Sequence, residues 1–283
     1  RPRAIEMTVS GDTASLDLNR IDLDNDVSEA VLSPDGQTVA VVARGEIFVR
    51  STADDRPTRR VTRHEARDQQ VAWSPDGSTL YFVSDRDGPQ SLYAATVLLS
   101  RQDIEPEEDE PDEPESEENE TNENESGENE SGENEPGEDA SDESDTDEGE
   151  GDTEDSDDEK DEGPSAGDRW AEALRFSIEP VLVSGHTDQY PKPSPDGDEI
   201  LFVRDRGDLM LYDLEDEELI TLQEGWDEPD AQWAGDGVHV VFSRMDLQFN
   251  SDIFLLNVEA VEEDPDSDAA KPINITRHPD LDT

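Results

Sequence analysis

One four-residue turn recurs along this chain and constrains its fold more than any other feature. Ser33-Pro34-Asp35-Gly36 returns as Ser74-Pro75-Asp76-Gly77, as Ser194-Pro195-Asp196-Gly197, and more weakly as Ala234-Gly235-Asp236-Gly237. The steps are 41, 120 and 40 residues. The long step equals one ordinary step plus about 80 residues, and a strongly acidic segment lies inside it. Three regular steps and one insertion therefore account for the spacing. A fixed period in this range is the mark of repeated supersecondary units. The turn itself is readable: Ser bonds back to the backbone, Pro presets φ, Asp tolerates the bridge region and Gly closes the turn without a Cβ clash.

The residues after each turn agree with one another. Val39-Ala40-Val41-Val42, Leu80-Tyr81-Phe82-Val83, Ile200-Leu201-Phe202-Val203 and Val240-Val241-Phe242 share one offset. These runs are apolar at consecutive positions, as in strands covered on both faces. Short polar turns follow at Arg44-Gly45, at Asp85 to Gly88 and at Asp205 to Gly207. A third strand is expected at Ile47-Phe48-Val49, Leu92-Tyr93, Leu209 to Tyr212 and Ile253 to Leu256. A fourth is expected at Arg60-Val61-Thr62, Pro180 to Val183, Ile220-Thr221-Leu222 and Ile273 to Thr276. Four strands per unit of about 40 residues, without helical periodicity, predict an all-β chain, a β-propeller of four-stranded blades. A β-sandwich gives no reason for such a period.

A linking element follows each fourth strand: Thr62-Arg63-His64, Ser184-Gly185-His186, Glu224-Gly225-Trp226 and Thr276-Arg277-His278. The spacing after His278 opens a fifth blade beyond Thr283, and Met7 to Leu18 reads as a partial blade. The chain thus reads as an excerpt of a longer polypeptide. Three segments are expected. Residues 1–102 hold a partial N-terminal blade, the blade of Ser33 to Gly36 and the first part of the blade of Ser74 to Gly77. Residues 103–168 form an acidic, low-complexity, disordered insert. Residues 169–283 hold the blades of Ser194 to Gly197 and Ala234 to Gly237, cut at the start of the next. Up-and-down connectivity puts the Ser-Pro-Asp-Gly turns and the insert on one face of the disc. The His elements and the Asp85, Asp87 and Asp205 loops fall on the other.

Charge narrows the function classes. The 283 residues carry 79 acids and 21 lysines and arginines, a formal charge of −58. Residues 103–168 hold 35 of the acids and one base, Lys160, leaving 44 acids against 20 bases on the other 217 residues. Even that remainder, at −24, repels phosphates and has no basic face with which to displace counterions, so a general nucleic-acid binder is not expected. Its apolar share is about 38%, near the globular range, whereas the insert offers little apolar material to offset its ordering entropy. The long insert reads first as a tolerated surface loop. Lysine is confined to Lys160, Lys192 and Lys271 against 18 arginines. Acid excess with scarce lysine suggests a halophilic, high-salt setting.

Catalytic signatures are missing. There is no cysteine, and no nucleophile elbow, phosphate loop, dinucleotide fingerprint or zinc-helix motif. The longest apolar run, Val39 to Ala43, is too short to span a membrane. His64, His186 and His278 recur at one blade position and read as structural parts of the links; His239 stands apart. Asp22, Asp24 and Asp26 alternate like a calcium loop, but Val27 and Ser33 stand where such a loop needs Gly and Glu, so the reading fails. Trp73 and Trp233 precede their turns at one offset and read as blade-to-blade packing. Asn274-Ile275-Thr276 fits a glycosylation sequon by chance within a strand. No catalytic, cofactor-binding or metal-binding residue is assigned.

The Ser-Pro-Asp-Gly blades resemble the PD40 or TolB-like propeller repeats. Arg169 to Phe176, Asp246 to Ile253, and Asn274 to Asp280 are similar to the N-terminal propeller of tricorn-type (S41-like) serine peptidases. That resemblance implies a non-catalytic propeller that gates or channels peptides toward a catalytic core absent from this chain. It implies a parent protein that is a serine peptidase, peptide or polypeptide substrates as partners, homo-oligomerisation through the parent, and a cytoplasmic or periplasmic location. Two alternatives stay open: a TolB-like protein-binding scaffold, and the propeller of an α/β-hydrolase oligopeptidase. The sequence after Thr283 separates the three.

Overall fold

The structure, a computed structural model, describes residues 26–54, 56–104, 164–246 and 249–276. They form four antiparallel four-stranded sheets in chain order. The first blade holds β1 (Val27–Leu32), β2 (Thr38–Ala43), β3 (Glu46–Ser51) and β4 (Arg59–Arg60). The second holds β5 (Asp68–Trp73), β6 (Thr79–Ser84), β7 (Ser91–Ser100) and β8 (Ala173–Leu182). The third holds β9 (Asp188–Pro193), β10 (Glu199–Arg204), β11 (Asp208–Asp213) and β12 (Leu219–Gln223). The fourth holds β13 (Ala231–Trp233), β14 (His239–Met245), β15 (Ser251–Asn257) and β16 (Ile273–Asn274). Each sheet is a meander in which every strand pairs with its sequence neighbour. The protein is an all-β propeller, with the turn repeat joining the first two strands of each blade. The partial N-terminal blade at Met7 to Leu18 and the fifth blade lie outside the described residues. So does the insert, apart from Asp103–Ile104 and 164–168.

The turns hold as their residues demand. The Ser33 hydroxyl donates to Asp35 at 2.5 Å and accepts the Thr38 N–H at 2.9 Å, while Asp35 accepts the Gln37 N–H at 3.0 Å. Gly36 sits at φ 71°, a conformation that a Cβ penalises. The same bonds recur at Ser74 and Ser194. In the fourth blade Ala234 has no hydroxyl, and Asp236 accepts both the Val238 and His239 N–H groups, each at 3.0 Å.

The second strands of the second and third blades are apolar at consecutive positions because each of these blades packs against two neighbours. Leu80 and Phe82 join Ala40, Val42, Ile47 and Val49 in a core between the first and second blades. Tyr81 and Val83, on the opposite face of β6, meet Ile200 and Phe202 between the second and third. Leu201 and Val203 then meet Val240, Phe242 and Leu256 between the third and fourth. The alternation of a strand's side chains thus assigns odd and even residues to different interfaces.

Two short helices depart from the expected pattern. α1 (Ala166–Ala171) is capped by the Ser165 hydroxyl, which accepts the Asp168 N–H. α2 (Val258–Glu263) lies between β15 and β16 and is capped by Asn257. Both are too short to impose a sequence period. The strand bounds also shift. β8 begins at Ala173, ahead of the expected Pro180, and β7 runs on to Ser100, so the insert leaves from the tip of a long hairpin. β4 is only two residues, and Val61 lies beyond it, donating its N–H to the Ile47 carbonyl at 2.8 Å.

α1 places the root of the insert on the turn face, as connectivity predicts. Trp170 is fully buried and donates its Nε1–H to the Gly77 carbonyl at 2.9 Å. It meets Trp73 edge-on at 5.0 Å and stacks on Phe176 at 5.5 Å. Gly167 passes so close to the first turn that a Cβ would lie 2.6 Å from that of Gln37. Arg169 pairs with Asp103 at 2.9 Å across the two ends of the insert. Beside them Glu172 receives Arg56, with Arg59 at 3.5 Å and Arg101 at 3.6 Å.

Candidate functional site

The first strands of successive blades, β1, β5 and β9, approach one another at the inner end of the sheets. Their pairing with the second strands slips at Val27/Glu29, between Gln69 and Ala72, and between Gln189 and Lys192. Gln70 and Tyr190 occupy two of these bulges in left-handed conformation, at φ 55° and 56°. A bulge turns a backbone N–H out of its own sheet. The preceding blade supplies the acceptor. Glu29 takes the Gln70 N–H at 2.9 Å and the Val71 N–H at 3.2 Å. The Gln70 side chain takes the Tyr190 N–H at 2.8 Å. Glu29, Gln70, Tyr190 and Asp230 all stand four residues before a turn motif. Sequence reasoning missed this column, because its residue types differ; its fixed offset from the turns was the available signal.

Two openings flank this relay. One, of about 340 Å³, is lined by Glu29, Gln69, Gln70, Tyr190 and Lys192 among others. The other, of about 260 Å³, lies between the third and fourth blades, with Tyr190, Lys192, Glu228 and Asp230 at its polar side and Leu201, Val203 and Leu209 at its apolar side. Tyr190 belongs to both and is 38% exposed. Partial burial and a hydrogen bond with Glu228 hold its hydroxyl protonated above the ordinary tyrosine range. Three carboxylates against one ammonium make the passage acidic. An exposed phenol among carboxylates can bind a polypeptide by stacking and ion pairing.

The tryptophans serve the interfaces that sequence assigned to them. Trp73 Nε1 donates to the Val31 carbonyl at 3.2 Å, and Trp233 Nε1 to the Lys192 carbonyl at 3.0 Å, each one blade back. A second recurring pair ties the start of the first strand to the end of the second or the loop just after it. Asp188 meets Arg204 at 2.7 Å and Asp68 meets Arg86 at 3.0 Å, both carboxylates fully buried, while the counterpart Asp26–Arg44 is exposed.

On the opposite face from the turns, the expected grouping of His elements with aspartate loops holds. Asp205 accepts the Thr187 N–H at 3.0 Å and meets His186 Nδ1 at 2.7 Å, and Asp85 accepts the Arg67 N–H at 2.8 Å. His64 accepts the Ala66 N–H, and His239 pairs with Asp236 back at its own turn. His278, Asp22 and Asp24 lie outside the described residues. These histidines are dispersed; among the described residues no three acidic, histidine or cysteine groups are placed to hold a metal. Asn274 of the sequon donates its amide to Asp252 at 2.9 Å within β16. Among the described residues no helix is long and apolar enough to cross a membrane.

No protein-family model matches the sequence, and no curated protein matches it. Solved structures do. TolB from Acinetobacter baumannii is 14% identical with a TM-score of 0.47, covering 81% of this chain and 40% of that one. These are likenesses of fold. A puromycin-hydrolysing peptidase from Mycobacterium tuberculosis is 13% identical with a TM-score of 0.49, covering 91% of this chain and 30% of that one. The tricorn protease is 9% identical with a TM-score of 0.44, covering 85% and 17%. The chain thus spans well under half the length of each.

Proposed function

We propose that this chain is the non-catalytic propeller portion of a tricorn-like serine peptidase, admitting unfolded peptides along its inner strands toward a catalytic core elsewhere in a longer polypeptide. One observation carries the reading: the inner strands converge on an acidic passage that presents Tyr190 between Glu228, Asp230 and Lys192. The resemblance of Arg169 to Phe176 and Asp246 to Ile253 to that family supports it. So does a net negative field, which draws cationic peptides over distances up to about a Debye length. The acidic insert roots on the turn face.

Binding of fluorescein-labelled Lys-rich and Glu-rich unfolded peptides at low and high salt tests this. The Lys-rich peptide binds tighter at low salt, and the double variant Glu228→Gln/Asp230→Asn weakens it several-fold. Neither peptide is cleaved by this chain. Equal binding of the two peptides argues against the passage, and hydrolysis by this chain refutes the non-catalytic role. A TolB-like docking scaffold predicts instead that only folded proteins bind.

A further inference from the structure

Bases are scarce in this chain, yet they gather on one seam. Of the 16 lysines and arginines among the described residues, eight follow the outer join of the first two blades: Arg56, Arg59, Arg60, Arg63, Arg86, Arg101, Arg169 and Arg175. The cause lies in the strands. β4 has two residues and β8 has ten, so the outer part of β8 goes uncovered on the side facing the first blade. A cleft of about 430 Å³ results. Val61, Leu174, Phe176 and Ile178 give it an apolar floor, and Leu174 is 44% exposed.

The cations around this floor are of two kinds. Arg60 is held by Glu46 and by the Thr62 carbonyl, and Arg86 by buried Asp68. Arg63 and Arg175 are exposed, and among the described residues neither has an acceptor. Two exposed guanidinium groups without an acceptor thus stand beside exposed aliphatic surface, open to a carboxylate from another chain. Arginine offers planar, bidentate recognition of a carboxylate.

We propose that this rim cleft docks a partner polypeptide through an extended segment carrying a large apolar side chain flanked by carboxylates. The apolar side chain fills the floor over Leu174 and Phe176, and the carboxylates pair with Arg63 and Arg175. The apolar floor decides between this partner and the chain's own acidic residues. Between positions 105 and 163 the sequence offers Ala140 and four prolines but no large apolar side chain. The cleft is distinct from the acidic passage, which calls for peptides of opposite charge, so the two proposals stand or fall separately.

Fluorescence anisotropy of the full chain with labelled nonapeptides centred on Glu-Leu-Glu, Glu-Ser-Glu and Lys-Leu-Lys tests it. The Glu-Leu-Glu peptide binds best, and added salt weakens it. The double variant Arg63→Glu/Arg175→Glu lowers its affinity at least tenfold with an unchanged melting temperature. Arg50→Glu, an exposed change on β3, has no effect. Equal binding of the Leu and Ser peptides, or an unchanged affinity in the double variant, overturns the proposal. So does peptide binding that emerges only after the acids of 105–163 are replaced by amides, because the chain's own segment is then the occupant. Should the double variant unfold, Leu174→Asp alone serves: it abolishes preference for the Leu peptide if the floor is the site.

Discussion

A single hydroxyl shows how local chemistry is conserved in role when a residue changes. In three turns a serine accepts the N–H five residues on; in the fourth, Ala234 cannot, and Asp236 takes that N–H directly. Both backbone N–H groups stay paired because an aspartate carboxylate has spare acceptor sites. Single residues also set the pH response. Glu199, at the start of β10, is held protonated to about 8, first by burial and then by Glu262 of α2, with Asp196 and Asp213 adding to the negative field. The unfolded chain releases that proton near the ordinary glutamate value, about 4.3. Between these limits the native state binds more protons, so this contribution to stability is present below the lower limit and is lost as pH rises toward 8. Thermal melts from pH 5 to pH 8 should show Tm falling in the parent chain and a flatter profile in Glu199→Gln. Parallel profiles would remove the carboxyl pair as a source of pH dependence.

At the scale of elements, legibility followed burial. The second strands of the middle two blades were readable because both of their faces meet other blades, which forces apolar residues at consecutive positions. The fourth strands were less so. They are outer edges with one covered face, and their bounds moved by up to seven residues, from Pro180 to Ala173 in β8. α1 carried no periodic signal because one turn of helix cannot; it is held by what it touches. Trp170 fills the space between Trp73 and Phe176 and satisfies its own N–H on the second turn. Trp170→Ala should therefore cost about 3–5 kcal/mol, the usual range for emptying a large aromatic site. Urea denaturation would check this, and a loss within about 0.5 kcal/mol, typical of a surface change, would show that the insert root does not brace the first two blades.

At the scale of the whole molecule, charge dominates. Outside 103–168 the chain still holds 44 acids against 20 bases. Self-repulsion of this kind weakens the compact state and is relieved by salt, since the Debye length falls from about 10 Å at 0.1 M to about 3 Å at 1 M. The melting temperature should climb as KCl rises from about 0.1 M to about 3 M. A flat curve would remove the high-salt reading of the composition.

The sequence by itself determined the blade count among the described residues, the strand connectivity, the face that carries each turn and the absence of a recognisable catalytic motif. Those features are written locally: a four-residue turn and a short apolar run each state their role within a dozen positions. The tertiary structure alone decided that Glu29 caps Gln70, that Gln70 caps Tyr190, and that Arg63 and Arg175 share a cleft. These partners lie 41, 120 and 112 residues apart in the chain. The offset from the turns puts the first three in one column. Which of them bond, and that the two arginines meet, depends on how blades with outer strands of unequal length stack side by side.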